Sequence, residues 1–218
     1  MKQIDYWISD KKFRAMLGRT GDATYQVARL DVSTHAQNTI DYAHHEIHDG
    51  SAFTAYYTVT TAATAGHRSG LYIRTPIGIE IHLVASFSSS IAAVFSIHED
   101  VVLDVNEGTN AVVIYNRHRN SAKVSNCKDN ATNPAAGYCT TWTEAQIAAA
   151  NLGAGTILRT EPLEAGTGPK PAGGVGRDSQ EYILKQDTRY LFMITNTPAT
   201  ANTHHILIDW YEHTPRSA

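Results

Sequence analysis

IEIHLVASFSSS, residues 79–90, decides the fold: Ile79, Ile81, Leu83, Ala85 and Phe87 fall on one face, with Glu80, His82, Val84 and Ser86 on the other. A period of two is the mark of a strand with one face buried and the other wet. The same short, β-rich texture runs outward on both sides. AFTAYYTVTTA (52–62) and GLYIRTP (70–76) precede it, and AAVFSIHE (92–99) and NAVVIYNRHR (110–119) follow. GTILRTEPL (155–163), EYILK (181–185), RYLFMITN (189–196) and HHILIDWYE (204–212) complete the series. Turn residues such as Pro76, Gly78 and the NEGTN stretch at 106–110 punctuate these runs.

One helix is expected, TWTEAQIAAAN (141–151), where Thr143 and Gln146 match a capping box and Asn151 and Gly153 supply the stop. Because strands do not alternate with helices, a doubly wound parallel sheet is excluded. The expected fold is all-β: an antiparallel β-sandwich, jelly-roll-like, with one short helix. Residues 1–39 are polar and mixed in charge and read as an extended N-terminal arm; residues 40–218 read as a single β-sandwich domain.

Composition narrows the partners. Charged residues make up only 18% and the net charge is −3, so there is no clustered Lys and Arg to neutralise phosphates, and no nucleic-acid partner is expected. No stretch reaches the roughly 20 apolar residues that a membrane helix needs, and the opening MKQIDYWISDKKFRAML lacks an apolar run of the secretory kind. A soluble product made in the cytosol is expected. Cys127 and Cys139 have no second cysteine pair, which argues against zinc and favours two thiols over a disulfide.

Chemistry is sought first in IDYAHHEIHDGSAF (40–53), where His44, His45, Glu46 and His48 crowd together. A zinc-protease motif needs His-Glu-x-x-His, but His45-Glu46-Ile47-His48 is one residue short, which on a helix turns the second ring about 60° away. On a strand, His44 and His48 would stand about 13 Å apart. Neither arrangement gathers three ligands, and only a composite site with His204 and His205 would rescue a metal role. YNRHRN (115–120) places Arg117, His118 and Arg119 at a strand end, suited to an anion or to carboxylates of a neighbouring chain. The loop EAGTGPKPAGGVGRD (164–178) lacks the Gly-Lys-Ser/Thr of a phosphate cradle, and Asn130-Ala131-Thr132 is a glycosylation sequon without a secretory route. No serine sits in a nucleophile elbow. No catalytic residue, metal ligand or cofactor is therefore expected, and the chain does not read as an enzyme.

Several stretches together resemble a widespread family of tailed-bacteriophage virion proteins: IDYAHHEIHDGSAF, VASFSSS, LDVNEGTNAVVIYNRHRN, the TWTEAQ helix, LRTEPLEAGTGPKPAGG and HHILIDWYE. In that family a His-His-Glu-x-His segment precedes the first core strand, and a Tyr-Asn-Arg-x-Arg-Asn stretch follows the middle strands. The resemblance covers most of residues 33–212 and implies a capsid decoration, or cement, protein. It would be a homotrimer on the virion surface, made in the host cytoplasm, with the major capsid protein as partner. On that reading His44, His45, Glu46, His48, Arg117, His118 and Arg119 are subunit-interface or polar-seam residues, and the arm lies along the capsid or swaps between protomers. The alternatives are a head-fibre, tail or receptor-binding module, with Trp142 and Trp210 as candidates for an exposed aromatic platform, and a cupin-like metalloenzyme.

Overall fold

The computed structural model describes residues 4–8, 11–15, 17–19, 25–27, 42–102, 110–128, 137–163 and 181–214. The chain divides into two compact units, Met1–Tyr42 and Ala43–Ala218. The described residues of the first unit form two antiparallel strand pairs. Strand β1 (Ile4–Ile8) pairs with β2 (Lys11–Ala15), and β3 (Leu17–Arg19) pairs with β4 (Tyr25–Val27).

The second unit is an antiparallel β-sandwich. Its strands are β5 (Ala52–Thr60), β6 (Arg68–Arg74), β7 (Glu80–Ser89), β8 (Ala93–Glu99), β9 (Asn110–Val113), β10 (Tyr115–Asn116), β11 (Tyr138–Trp142), β12 (Thr156–Leu163), β13 (Tyr182–Leu184), β14 (Arg189–Asn196) and β15 (Thr203–His213). One sheet runs β10-β5-β15-β7-β13 and the other β12-β8-β14-β6-β11-β9. The alternation at 79–90 appears as written: Ile81, Leu83, Ala85 and Phe87 are buried between the sheets, and Glu80, His82, Val84 and Ser86 point the other way, partly exposed. Strand β15 does the same, with His204, Ile206, Ile208 and Trp210 inward. The rings of Phe87 and Phe95, one from each sheet, stack across the interior.

The inner strands of the six-stranded sheet, β8, β14, β6 and β11, are buried on both faces. Leu71, Ile73, Phe192 and Ile194 join the core between the sheets, while Tyr72, Leu191 and Met193 form a second cluster with Val101, Trp142 and Ile147 on the far side. Helix α2 (Glu144–Ala149) supplies Ile147 to that cluster, and Arg68 of β6 anchors the helix by donating to the Glu144 carboxylate. At its start the Gln146 side-chain carbonyl accepts from the Thr143 N–H at 2.9 Å, the capping contact expected from the spacing. The helix is shorter than the pattern suggests, and a separate 3-10 turn, Leu152–Ala154, follows it.

Three elements depart from expectation. The run at 110–119 is two strands: Ile114 is buried at the break, and the chain crosses there from the six-stranded to the five-stranded sheet. Tyr138–Trp142 is strand β11, paired with β6 and β9, and it takes Thr141 and Trp142 from the start of the expected helix. Four of its five residues are buried, so both faces are covered and no alternation shows in the sequence. A second helix, α1 (Tyr42–Asp49), holds the histidine-rich stretch. The Gly-rich loop 164–178 and the sequon at 130–132 lie outside the described residues. Cys127 and Cys139 are buried thiols in the core.

Phe87→Ala is expected to cost about 3–5 kcal/mol, because a ring stacked between two sheets leaves a cavity that neither sheet can collapse into. Val84→Ala on the outer face should cost less than about 1 kcal/mol. Denaturant midpoints of the two variants check the orientation of β7.

Candidate functional site

Helix α1 owes its end to Asp49-Gly50. Gly50 has a φ of +78°, its N–H bonds the Ile47 carbonyl at 3.1 Å, and the Ser51 N–H bonds the Glu46 carbonyl at 2.9 Å. These paired bonds around a left-handed glycine are a Schellman stop. The helix exposes His44, His45 and His48 and buries Glu46. Helical geometry makes His44 the partner of His48: their Nε2 atoms are 2.9 Å apart and the rings stack. The three-residue pair His45 and His48, and the strand geometry weighed beside it, are both set aside. His45 Nδ1 lies 3.5 Å from the Glu46 carboxylate.

The structure brings this helix end against the YNRHRN stretch. Asn116 makes the join: its Nδ2 donates to the Gly50 carbonyl at 2.8 Å and to the Lys123 carbonyl at 3.0 Å, while its Oδ1 accepts from the His118 N–H at 2.8 Å. Lys123 Nζ reaches Asp49 at 2.7 Å, and that hydrogen bond, with one from Ser51, holds the Asp49 carboxyl below its usual range. Arg119 lies 5.7 Å over the ring of Tyr115, which stacks in turn on Tyr56. Arg117 and Arg119 are exposed and His118 is half-buried.

His204 and His205 do not complete a metal site with the helix. Ser51 and Ala52 sit beside Tyr211, seven residues along β15 from His204, or about 23 Å. His204 is fully buried instead. Its Nδ1 accepts from Ser69 Oγ at 2.7 Å and its Nε2 donates to Asn196 Oδ1 at 2.7 Å. This has the spacing of a nucleophile, base and orienting group, but Ser69, His204 and Asn196 are all buried, so no substrate reaches the hydroxyl. Burial, with a smaller push from His67, lowers the His204 pKa to about 4, and the ring is neutral. Trp142 and Trp210 are both buried, so neither forms an aromatic platform.

Two clusters have no counterpart in the sequence reading. Glu212 is a buried carboxylate that accepts from Ser125 Oγ, the Asn126 backbone and side chain, and Trp210 Nε1, fastening the 121–128 segment to β15. Among the described residues, the group of His, Cys, Asp and Glu donors close enough to share an ion is Glu80, His82 and His213, on the outer face of the five-stranded sheet. The hint in the sequence is the Glu-x-His of β7 with a histidine ending β15, but only register makes it a cluster: His213 pairs with Glu80 and Tyr211 with His82. Burial lowers the His82 pKa; the Glu181 carboxylate opposes this, and His213 adds to it.

Gly50→Ala is expected to destabilise by about 1–2 kcal/mol, since the left-handed conformation opposes a Cβ. That Cβ would also meet Ser121 of the packed loop. Thermal unfolding of this variant checks the join. Stability should also depend on pH through His204. Its folded pKa, about 4, lies below the unfolded value near 6.5, so the unfolded chain binds the extra proton and stability falls as pH drops from about 6.5 toward 4. The expected loss at pH 5 is about 2 kcal/mol, with His98 and His82 shifted by burial in the same direction. Unfolding curves at pH 7 and 5 measure it, and His204→Gln should flatten the slope. No protein-family model matches the chain, and no curated protein is significantly similar to it.

Proposed function

We propose that this chain is a virion structural protein that decorates the outer surface of a phage head and stabilises it by binding the assembled shell. The observation that carries this reading is the outer face of the five-stranded sheet. Its three central strands, β5, β7 and β15, contain no lysine or arginine. Their outward positions include Thr54, Tyr56, Thr58, Val84, Ser86 and Leu207, beside two carboxylates, Glu80 and Asp209, and the histidines His82, His205 and His213. An exposed sheet face this poor in charge matches the composition of a protein-binding surface. Tyr56, Tyr115 and Arg119 at its rim are residue types that anchor interfaces.

The strand order supports the finer fold reading. Strands β5, β15, β7 and β13 lie in one sheet and β12, β8, β14 and β6 in the other; β5 to β8 alternate between the sheets, as do β12 to β15, the pattern of a jelly roll, an architecture common in capsid proteins. In this proposal the protein is a homotrimer, its partner is the major capsid protein, and α1 with the 115–119 segment contributes to subunit contacts. Binding to the assembled shell rather than to free subunits would stabilise the head by mass action. The rival reading as a receptor-binding module relied on exposed tryptophans, and both candidates are core residues.

The test is a Tyr56→Lys/Leu207→Lys variant offered to purified phage heads in a co-sedimentation assay. Head occupancy should drop at least about 10-fold while the thermal midpoint stays near wild type, because a buried interface does not accept unpaired ammonium groups. Occupancy equal to wild type would overturn the proposal. Light scattering of the free protein should give three times 23.8 kDa.

A further inference from the structure

The outer face carries one cluster that a docking surface does not require. We propose that Glu80, His82 and His213 bind a divalent first-row transition-metal ion, for which Zn²⁺ is the fitting probe. Their donor atoms converge: His82 Nε2 and His213 Nε2 are 2.8 Å apart, and Glu80 Oε2 lies 3.4 Å from the second and 4.0 Å from the first. Metal–ligand bonds of about 2.0–2.2 Å at ordinary angles place neighbouring donors about 2.9–3.5 Å apart, so small rotations of these side chains close the shell.

The far sides of the rings argue more strongly than the distances. His213 Nδ1 lies 3.0 Å from the Thr214 carbonyl, which can only accept, so Nδ1 carries the proton. His82 Nδ1 is buried and faces the Glu181 carboxylate at 3.6 Å, which draws the proton to that side as well. Both Nε2 atoms then present lone pairs to each other at 2.8 Å, with a carboxylate oxygen beside them. A proton on one Nε2 would bridge the two rings and face the carboxylate; a metal ion placed there would be ligated by all three atoms.

The surroundings match those of metal-binding histidines, whose second nitrogen donates to a carboxylate or a backbone carbonyl and fixes the ring. Tyr211 stacks on His82 with ring centroids 4.6 Å apart and a 13° tilt, holding the imidazole in plane. Two imidazoles with one carboxylate suit zinc and its neighbours rather than magnesium or calcium. Three protein ligands leave a further position open to water. Side-chain exposures of 13%, 20% and 34% for His82, His213 and Glu80 give an ion access from solvent. A bound ion would pin the end of β15 to β7, and by linkage would raise stability with metal concentration.

The experiment uses the full chain, stripped with a chelator and titrated with ZnCl₂ by calorimetry, with Co²⁺ as a visible-absorption probe of ligand geometry. One ion per chain is expected, with a rise in the thermal midpoint on adding zinc. His82→Gln and His213→Gln should abolish both effects, each compared with its own metal-free midpoint. Glu80→Gln serves as the independent ligand variant if either fails to fold. Glu181→Gln should weaken binding by about 10–100-fold through loss of the orienting carboxylate. His44→Gln/His48→Gln, which removes the exposed pair on α1, should leave binding intact. Absence of binding by the wild type, binding that survives His82→Gln/His213→Gln, or binding lost only with His44→Gln/His48→Gln would each overturn the proposal.

Discussion

Strand β15 is hydrogen-bonded to β5 along one edge and to β7 along the other, and its two-residue alternation from His204 to Trp210 organises the sandwich. Facing inward are a buried histidine with its Ser69 and Asn196 partners, two isoleucines, a tryptophan, and the Glu212 carboxylate with its loop donors. Facing outward are His205, Leu207, Asp209 and His213. A slip of one residue would bury Asp209 and expel Trp210, so the register is fixed at a cost no neighbouring contact could offset. Everything at the two ends of the strand inherits that register. Near Thr203 it places His204 in its polar pocket; near His213 it sets the histidine beside Glu80.

The two sheets solve different burial problems. The six-stranded sheet is covered twice, by its partner sheet and by the cluster under α2, and it gains stiffness from packing on both sides. Its polar residues are consumed by fold contacts: Glu99 accepts from Tyr190 and Lys185, and Glu144 holds Arg68. Among the described residues of its own unit, the five-stranded sheet is covered once. Its outer side chains make fewer demands on the fold and are therefore available for recognition, and the candidate chemistry collects there.

How much of this could be read beforehand follows from the physics of each element. The strands with one wet face, β7 and β15, announce themselves by alternation, and the capping pair Thr143 and Gln146 marks a helix by spacing alone. β11 was illegible because Cys139, Thr140, Thr141 and Trp142 are all buried, which erases the period. Helix α1 was legible only through Asp49-Gly50, a stop signal that reads equally well as a turn; taking it as a helix end would have paired His44 with His48. The Glu80, His82 and His213 cluster and the Glu212 seam join residues more than eighty positions apart, and no local pattern encodes such a meeting.

A sandwich that leaves one face open must not also leave open rails along its sides, where a stray chain could add itself strand by strand. Here each rail is interrupted. The five-stranded sheet ends in β10, two residues long, and β13, three residues long. The six-stranded sheet ends in the four-residue β9 and in β12, whose Pro162 removes a donor and whose pairing shifts between Ile157 and Arg159. Copies of this unit can therefore meet flank to flank without adding strand to strand.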